Sequence, residues 1–303
     1  MTCYHPLHGY RSQVTTKTGK RKLTFSPQTG YVDLPQTVPC GQCIGCRIER
    51  SRQWALRCVH EAKSHSRSCF VTLTYDDQHL PSGLTLVLED LQKFIKRLRF
   101  HLGVRIRYYA CGEYGDHNNR PHYHALIFGE DFQFDRKIHS GLNTKSPNYV
   151  SETLNKIWGL GFAMIGQLNY QSAAYTARYI MKKKGGELAK THYTRIDPST
   201  GEIYVLRPEF SVMSRRPGIG AEWYEKYKAD VFPSDFLVHE GKKISVPRYY
   251  LNKLEQEASD VHKKVKLKRK SAIRKHRANN TPERLAVREE VKLSKIKTLS
   301  RKI

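Results

Sequence analysis

The stretch RPHYHALIFG, residues 120–129, places two histidines at the start of an apolar run. Aromatic and aliphatic residues between a proline and a glycine predict a strand. Residues two apart on a strand point to the same side, so His122 and His124 would face one way and Tyr123 the other. Two imidazoles on one face of a sheet can bind one metal ion. The alternative interpretation is a pair of surface histidines on an edge strand, because short motifs also match by chance.

A carboxylate precedes the histidine strand at a short distance. The segment VRIRYYACGE, residues 104–113, predicts a strand that ends at Glu113. The short polar loop between the two strands predicts a hairpin, which would bring Glu113 beside the start of the histidine strand. Two histidines and one carboxylate can bind a divalent cation and leave coordination positions open for a substrate. The sequence therefore predicts a metal site of His122, His124 and Glu113.

The elements around this hairpin predict the fold. Strands are predicted at 68–75, 104–113, 122–129 and 162–168, and helices at 88–103, 151–161 and 171–186. The resulting order, β-α-β-β-α-β-α, begins with the split β-α-β pattern. We therefore predict an α+β fold, an antiparallel β-sheet with flanking helices that pack on one face.

Charge and composition bound the function and the domain organisation. The 303 residues carry a formal net charge of +25, which indicates a polyanionic partner, nucleic acid before a membrane surface. No apolar run is long enough to span a bilayer. The N-terminus has no apolar signal core, so we expect a cytoplasmic protein. Composition predicts three regions: a cysteine-rich segment with a basic helix (1–67), a central domain (68–232) and a basic polar tail (233–303).

A second candidate for chemistry is the predicted helix that contains AYTARYIMKKK, residues 174–184. Tyr175 and Tyr179 share one helix face, with Lys183 a further turn along and Lys182 beside it. A phenol is a poor nucleophile at neutral pH, and a nearby divalent cation and lysines would ease its deprotonation. Attack on a phosphodiester would then give a phosphotyrosyl bond and a free 3′-OH. The alternative interpretation is a pair of core aromatics in ordinary helix packing.

Four cysteines predict a second metal site. Cys40, Cys43 and Cys46 follow a C-x₂-C-x₂-C pattern, and Cys3 supplies a fourth thiolate. This spacing suits a tetrahedral structural Zn²⁺ ion. An iron–sulfur cluster uses the same ligands, and reduced cysteines without a metal are a third interpretation. Bound zinc would fasten the N-terminal segment to the helix that follows.

The C-terminal region is strongly basic. Residues from 261 onward contain 16 Lys and Arg against three Glu. Such a segment can follow a phosphate backbone through its charge, without reading the base sequence. A solvated helix face or a disordered tail is the alternative interpretation.

Three motifs in a fixed order carry a family resemblance: FVTLTY (70–75), GEYG with RPHYHALIFG (112–115, 120–129), and YTARYIMKK (175–183). Together they resemble the rolling-circle replication initiators, the HUH endonuclease superfamily named for its His–hydrophobic–His pair. The two-tyrosine form is similar to the replication initiators of small isometric single-stranded DNA bacteriophages. The segments PCGQCIGCR (39–47) and MSRRPGIG (213–220) further resemble the gokushovirus branch of the microviruses.

The resemblance implies a metal-dependent, site-specific endonuclease. Such an enzyme nicks the viral replicative form at its origin, becomes joined to the 5′ end and later recloses the displaced circle. The ligands for Mg²⁺ or Mn²⁺ would be His122, His124 and Glu113. Its partners would be single-stranded and replicative-form viral DNA, in the cytoplasm of a bacterial host. No Walker-type phosphate loop occurs in the sequence, so we expect a host helicase and polymerase to act with it.

The resemblance also assigns the nucleophiles. Tyr175 and Tyr179 would attack the phosphodiester, and Lys182 or Lys183 would assist at the phosphate. Two alternatives stay open. One is a relaxase or tyrosine transposase of the same superfamily, and the other is a nonenzymatic, zinc-stabilised nucleic-acid-binding protein such as a packaging factor.

Overall fold

A computed structural model describes residues 3–17, 19–115, 118–142, 144, 146–178, 187–196 and 200–298. Two compact units make up the chain, one of Met1–Arg50 with Ala258–Ile303 and one of Ser51–Glu257. The predicted α+β class is confirmed. The division at residues 67 and 232 follows composition and stays a prediction.

Strands and helices are numbered here along the described chain. The strands are β1 (Leu7–Thr15), β2 (Arg21–Thr24), β3 (Gly30–Val38), β4 (Ser68–Tyr75), β5 (Arg107–Tyr114), β6 (Pro121–Phe128), β7 (Lys137–Ser140), β8 (Asn148–Val150), β9 (Gly161–Gln167), β10 (Thr194–Ile196), β11 (Ile203–Val205), β12 (Phe210–Met213), β13 (Leu237–His239) and β14 (Lys242–Ile244). The helices are α1 (Ile44–Ala62), α2 (Leu88–Leu102), α3 (Glu152–Trp158), α4 (Tyr170–Arg178), α5 (Glu187–Tyr193), α6 (Ala221–Val231), α7 (Arg248–Glu257), α8 (Ser259–Arg274) and α9 (Pro282–Lys297). Within the described ranges, no helix has the length and apolar character needed to cross a membrane.

The larger unit is built on an antiparallel sheet, which has seven strands in the described part of the chain, in the order β12-β5-β6-β4-β9-β8-β7. Each predicted strand and helix between 68 and 178 is present, with shifts of at most three residues at the described ends. The split β-α-β order is therefore confirmed. The histidine strand, β6, lies between β5 and β4, which corrects the alternative that it is an edge strand.

One face of this sheet packs against α2 and α3. Buried and half-exposed residues alternate along β4, as expected for a strand with one face in the core. The α2 residues at helical spacing supply the opposing layer. The buried side chains of these elements are Cys69, Val71, Leu73, Tyr75, Leu91, Phe94, Ile95, Leu98, Leu154, Ile157 and Trp158. Ser151 caps α3, because its Oγ accepts a hydrogen bond from the backbone N–H of Leu154 at 3.0 Å.

Helices also pack on the opposite face, which differs from the predicted arrangement. Residues 51–62 of α1 and the whole of α4 cover one end of it, where Tyr109, Leu126 and Phe128 are buried. The helices present small side chains to the sheet there, including Ala173 and Ala177. Small residues let helix and sheet backbones approach closely, so a second layer forms without a large apolar stripe in the sequence.

Two further regions fold outside the predicted β-α-β-β-α-β-α elements. Strands β1–β3 form a separate antiparallel sheet in the order β2-β1-β3. Most of their residues are exposed or half-exposed, so the alternation that marks a half-buried strand is weak. The basic region from residue 261 is helical over α8 and α9. This agrees with the interpretation as a solvated helix face rather than a disordered tail.

A buried ion pair connects α1, β5 and the segment MSRRPGIG. The guanidinium of Arg107 donates to the carboxylate of Glu61 and, at 2.8 Å, to the carbonyl oxygen of Pro217. The backbone N–H of Gly220 donates to the second carboxylate oxygen at 2.6 Å. Gly220 has a φ of 77°, and a Cβ there would meet the hydroxyl of Tyr250 at 2.5 Å. The glycine-containing segment therefore has a structural role that its local sequence did not reveal.

Replacing Glu61 by alanine should lower the free energy of unfolding by about 3–5 kcal/mol, because Arg107 would stay buried without its partner. Burial alone would raise the pKa of Glu61, but His65 at 3.5 Å and hydrogen bonds from the backbone of Gly220 and from Arg107 lower it. A carboxyl with a lowered folded-state pKa stabilises the protein above its unfolded pKa, and this contribution is lost as the pH falls through the folded value. The difference between wild type and variant should therefore shrink in acid.

Urea unfolding at neutral and acidic pH measures this effect. The matched control is Glu89→Ala, because Glu89 is exposed and pairs with Arg207 at 3.0 Å on the surface. Equal destabilisation by the two substitutions would contradict a special role for the buried pair.

Candidate metal centre and tyrosine helix

The register of the central strands brings the predicted ligands together. Glu113 of β5 lies directly opposite His122 of β6. His124, two residues further along β6, lies directly opposite Thr72 of β4, the strand on the other side of β6. Directly opposed residues of an antiparallel pair share a face of the sheet. Glu113, His122 and His124 therefore face one way, and Tyr123 faces the core.

The three side chains converge on one point. The Nε2 atoms of His122 and His124 lie 2.8 Å and 2.9 Å from the same oxygen, Oε1 of Glu113. All three ligand atoms lie within 4.8 Å of one another. The side chains of Glu113 and His124 are buried, whereas that of His122 remains partly accessible. The residues present could hold one metal ion, with access from the side of His122.

The second nitrogen of each ring fixes how the imidazoles are presented. Nδ1 of His122 lies 3.1 Å from the carbonyl oxygen of Arg120, an atom that can only accept a hydrogen bond. Nδ1 of His124 lies 3.0 Å from Oγ1 of Thr72. With a cation bound, each ring would keep its proton on Nδ1 and turn the Nε2 lone pair to the ion, in place of the Nε2 hydrogen bond to Glu113. The donor set thus fits a metal ion.

The surroundings of Glu113 keep its carboxyl group ionised, which is the form that binds a metal ion. Burial would raise the pKa of Glu113, but hydrogen bonds and charge from His122 and His124 outweigh it and lower the pKa to about 2. The group is therefore ionised at neutral pH. An ionised carboxylate is a ligand that hard cations such as Mg²⁺ prefer.

Helix α4 brings Tyr175 to this centre. The ring of Tyr175 meets that of His124 at a centroid distance of 5.0 Å, with the planes 75° apart. It also meets the edge of Phe70 at 6.2 Å. At the start of α4, Asn169 and Ser172 exchange hydrogen bonds of 2.9 Å, which fix where the helix begins. The structure thus brings the ring of Tyr175 against one of the two predicted histidine ligands, His124.

The rest of the predicted tyrosine motif is not described. Tyr179, Lys182 and Lys183 lie outside the described residues. The exposed Arg178 is the last described residue of α4, and its guanidinium carbon lies 6.0 Å from the ring centroid of Tyr175. In the sequence Arg178 stands next to Tyr179, so the motif gave no sign that its guanidinium lies near the ring of Tyr175.

The four predicted cysteines also come together. Their sulfur atoms lie within 4.8 Å of one another, and those of Cys3 and Cys43 are 4.0 Å apart. That separation far exceeds a disulfide bond of about 2.05 Å, and all four cysteines are free. It is close to the distance of about 3.8 Å between sulfurs that share a tetrahedral ion at 2.3 Å.

Backbone amides donate to the sulfurs of this cluster. The N–H groups of Tyr4, Cys40 and Cys43 lie 3.3 Å from the sulfurs of Cys43, Cys3 and Cys40 respectively. Burial would raise the pKa of Cys43, but hydrogen bonds from the backbone of Tyr4 and Cys46 and with the side chains of Cys46 and Cys40 lower it to about 6. Burial raises the pKa of Cys3 and Cys46. One thiolate is thus favoured before any metal binds, as in cysteines that ligate metals.

Comparison with known proteins identifies the family. Residues 68–184 match a family model of replication-associated proteins of the ORF2 type. The chain is 34% identical over 283 residues to the replication-associated protein ORF2 of Spiroplasma virus 4, which covers 86% of this chain and 82% of that protein. No solved structure gives a significant match.

Two further relatives come from bacteriophages. The replication-associated protein VP4 of Bdellovibrio phage phiMH2K is 35% identical over 222 residues, or 70% of this chain and 65% of that protein. The replication-associated protein ORF4 of Chlamydia phage 1 is 29% identical over 246 residues, or 76% of this chain and 58% of that protein. The resemblance to gokushovirus-type replication proteins is confirmed, and the chain belongs to the ORF2 family of replication-associated proteins.

Proposed function

We propose that this protein initiates rolling-circle replication of phage DNA by cutting one strand at the origin through a tyrosine transesterification. The observation that carries the proposal is the convergence of Glu113, His122 and His124 beside the ring of Tyr175. Membership of a replication-associated family supplies the setting. The net charge of +25 suits a DNA substrate.

Glu113, His122 and His124 would hold Mg²⁺ or Mn²⁺, and the bound cation would polarise the phosphodiester as a Lewis acid. Thr72 and the carbonyl of Arg120 orient the two rings for this task. Because His122 is the accessible member of the triad, the phosphate would approach from its side.

Tyr175 would act as the nucleophile. Its phenol loses a proton and its oxygen forms a bond to phosphorus, while the bond from phosphorus to the 3′ oxygen breaks. The 3′ oxygen takes up a proton and leaves as a free 3′-OH, and the 5′ end stays joined to the tyrosine. The positive charge of Arg178 near the ring favours the phenolate. The phosphotyrosyl bond conserves the energy of the broken bond, so a later attack by a 3′-OH can reseal the strand.

The second tyrosine completes the proposed cycle. Tyr179, four residues after Tyr175 in the sequence, would attack while the first covalent bond still exists, and Lys182 or Lys183 would assist at the phosphate. The basic helices α8 and α9 would contact the phosphate backbone without reading sequence. The substrate would be single-stranded and replicative-form DNA in the bacterial host cytoplasm, with unwinding and synthesis left to a host helicase and polymerase.

A structural Zn²⁺ at Cys3, Cys40, Cys43 and Cys46 forms part of the proposal. Four sulfurs that are all within 4.8 Å of one another leave room for a single central ion. An iron–sulfur cluster contains inorganic sulfides that hold its cysteine sulfurs further apart. The zinc would stabilise the N-terminal segment against the first turn of α1.

Replacing His122 and His124 together by alanine should weaken Mn²⁺ binding by at least about a hundredfold, because only one carboxylate ligand remains. Electron paramagnetic resonance of free Mn²⁺ measures this loss. Thiolates are poor ligands for Mn²⁺, so the cysteine cluster does not obscure the result. The exposed His101 on α2 gives the control variant His101→Ala, which should bind normally. Unchanged Mn²⁺ binding in the double variant would contradict the assignment.

Replacing Tyr175 and Tyr179 together by phenylalanine should reduce formation of the covalent protein–DNA product by at least about a thousandfold. The assay is a Mg²⁺-dependent reaction on a 3′-labelled origin oligonucleotide, read on a denaturing gel. Tyr170→Phe, at the start of the same helix, is the control and should retain the product.

Each alternative function predicts a different outcome of this assay. A covalent band that persists in the double variant would show that another residue is the nucleophile. Preferred cleavage of a plasmid transfer origin would favour a relaxase. A wild-type protein that binds DNA but neither cuts nor joins it would favour the nonenzymatic binder.

Replacing Cys43 by alanine should reduce the zinc content from about one ion per chain to near zero, because a tetrahedral site with three cysteines binds more weakly. Native mass spectrometry and elemental analysis measure the content. Cys111→Ala is the control, since Cys111 is buried in the seven-stranded sheet and does not belong to this cluster. Iron together with inorganic sulfide in the purified protein would show that the cysteines bind an iron–sulfur cluster rather than zinc. Zinc retained in Cys43→Ala would refute the zinc site.

A further inference from the structure

We propose that Phe162 and Met164 of β9, here called the stacking platform, bind the faces of unpaired bases next to the phosphate at the metal centre. The inference rests on the proposed function and adds to it a site on the protein that binds unpaired bases. The DNA would have to be single-stranded over the sheet, because base pairs in a duplex stack on one another and present only their edges and phosphates.

The stacking platform lies on the same face of the sheet as the metal ligands. Phe162 is directly opposite Thr74 of β4, and Thr74 is directly opposite His122 of β6. Met164 follows two residues along β9 and so points to the same side. Neighbouring strands lie about 4.8 Å apart, which puts the backbone of Phe162 at ~10 Å from that of His122.

Both side chains of the stacking platform are accessible. Phe162 is 68% exposed and Met164 is 36% exposed. Their neighbours Ala163 and Ile165 point to the other face and are buried in the core. Among the described residues, Phe162 and Met164 belong to neither core cluster. An antiparallel strand usually presents polar residues on a face that only water contacts, so apolar side chains beside the metal ligands indicate a ligand with apolar faces.

The faces of nucleobases match this surface best. Aromatic rings stack on bases of any sequence, and the polarisable thioether of methionine adapts to ring surfaces. The net charge of +25 attracts the phosphates that accompany those bases. The stacking platform is also continuous, through Thr74 and Thr72, with the row that carries the histidines.

A cation extends this path toward the edge of the sheet. Tyr149 of β8 lies opposite Ile165, so the adjacent Val150 lies on the face of Met164. Lys137 of β7 pairs with Val150, and its side chain is largely exposed and forms a surface ion pair with Glu152 at 3.8 Å, a contact that a phosphate could replace. A strand that leaves the metal centre across β9 would therefore meet an aromatic ring, a thioether and then a positive charge.

Fluorescence anisotropy without divalent cations, so that no strand is cut, tests the stacking platform. The probes are a labelled thymidine oligonucleotide and an abasic oligonucleotide of equal length and charge. Phe162→Ala should weaken binding of the thymidine probe by roughly five- to a hundredfold, and Phe162→Trp should restore it. The abasic probe should bind wild type and Phe162→Ala equally. The control is Phe100→Ala, since Phe100 of α2 is 91% exposed.

The outcomes separate this inference from the proposed function. Equal affinity of wild type and Phe162→Ala for the thymidine probe overturns the stacking platform. Equal weakening of both probes also overturns it, because the effect would then not involve bases. Mn²⁺ binding and covalent-product formation, measured on the same variants, test the proposed metal site and the proposed cleavage independently of the stacking platform.

Discussion

The antiparallel register of β5 on β6 is the constraint on which the candidate site depends. A slip of one residue would turn either Glu113 or both histidines to the opposite face. Tyr123, the residue between the histidines, holds that register from the core side. It is fully buried, and its hydroxyl bonds with the backbone of Val87 at 2.8 and 2.9 Å and with the hydroxyl of Tyr75 at 2.8 Å. The burial of Tyr123 thus determines that His122 and His124 point to the opposite face of the sheet.

One face of the sheet serves two purposes at its two ends. Around Tyr109, Leu126 and Phe128 it is a core layer covered by α1 and α4, and around His122 and His124 it is the candidate metal centre. Helix α4 belongs to both ends, since its alanines pack on the core layer while Tyr175 meets the ring of His124. The position of the proposed nucleophile therefore follows from ordinary helix packing, which fixes it before any substrate arrives.

The features that could be predicted from the sequence are those with local signals. Alternating burial in β4, the apolar stripe of α2, the Ser151 cap and the C-x₂-C spacing all depend on residues a few positions apart. The features that escaped prediction depend on partners far along the chain. Arg107 meets Glu61 and Pro217, and the second helical layer forms through alanines that leave no strong periodic pattern. The convergence of Glu113 with the histidines was predictable because β5 and β6 form a hairpin, in which residues close in the sequence lie opposite each other.

Accessibility on this face sets what the site can accept. The ligand oxygen of Glu113 and the ring of His124 are buried, so a phosphate can reach the triad only beside His122. On that side the sheet continues into β4 and β9, where Phe162 and Met164 are accessible in the described part of the chain. A duplex is a stiff rod whose bases are covered, whereas a single strand can lie flat on the sheet and turn its phosphates toward the ligands. The physical form of the site therefore favours an unpaired strand, and the proposed cut would require that the origin be opened first.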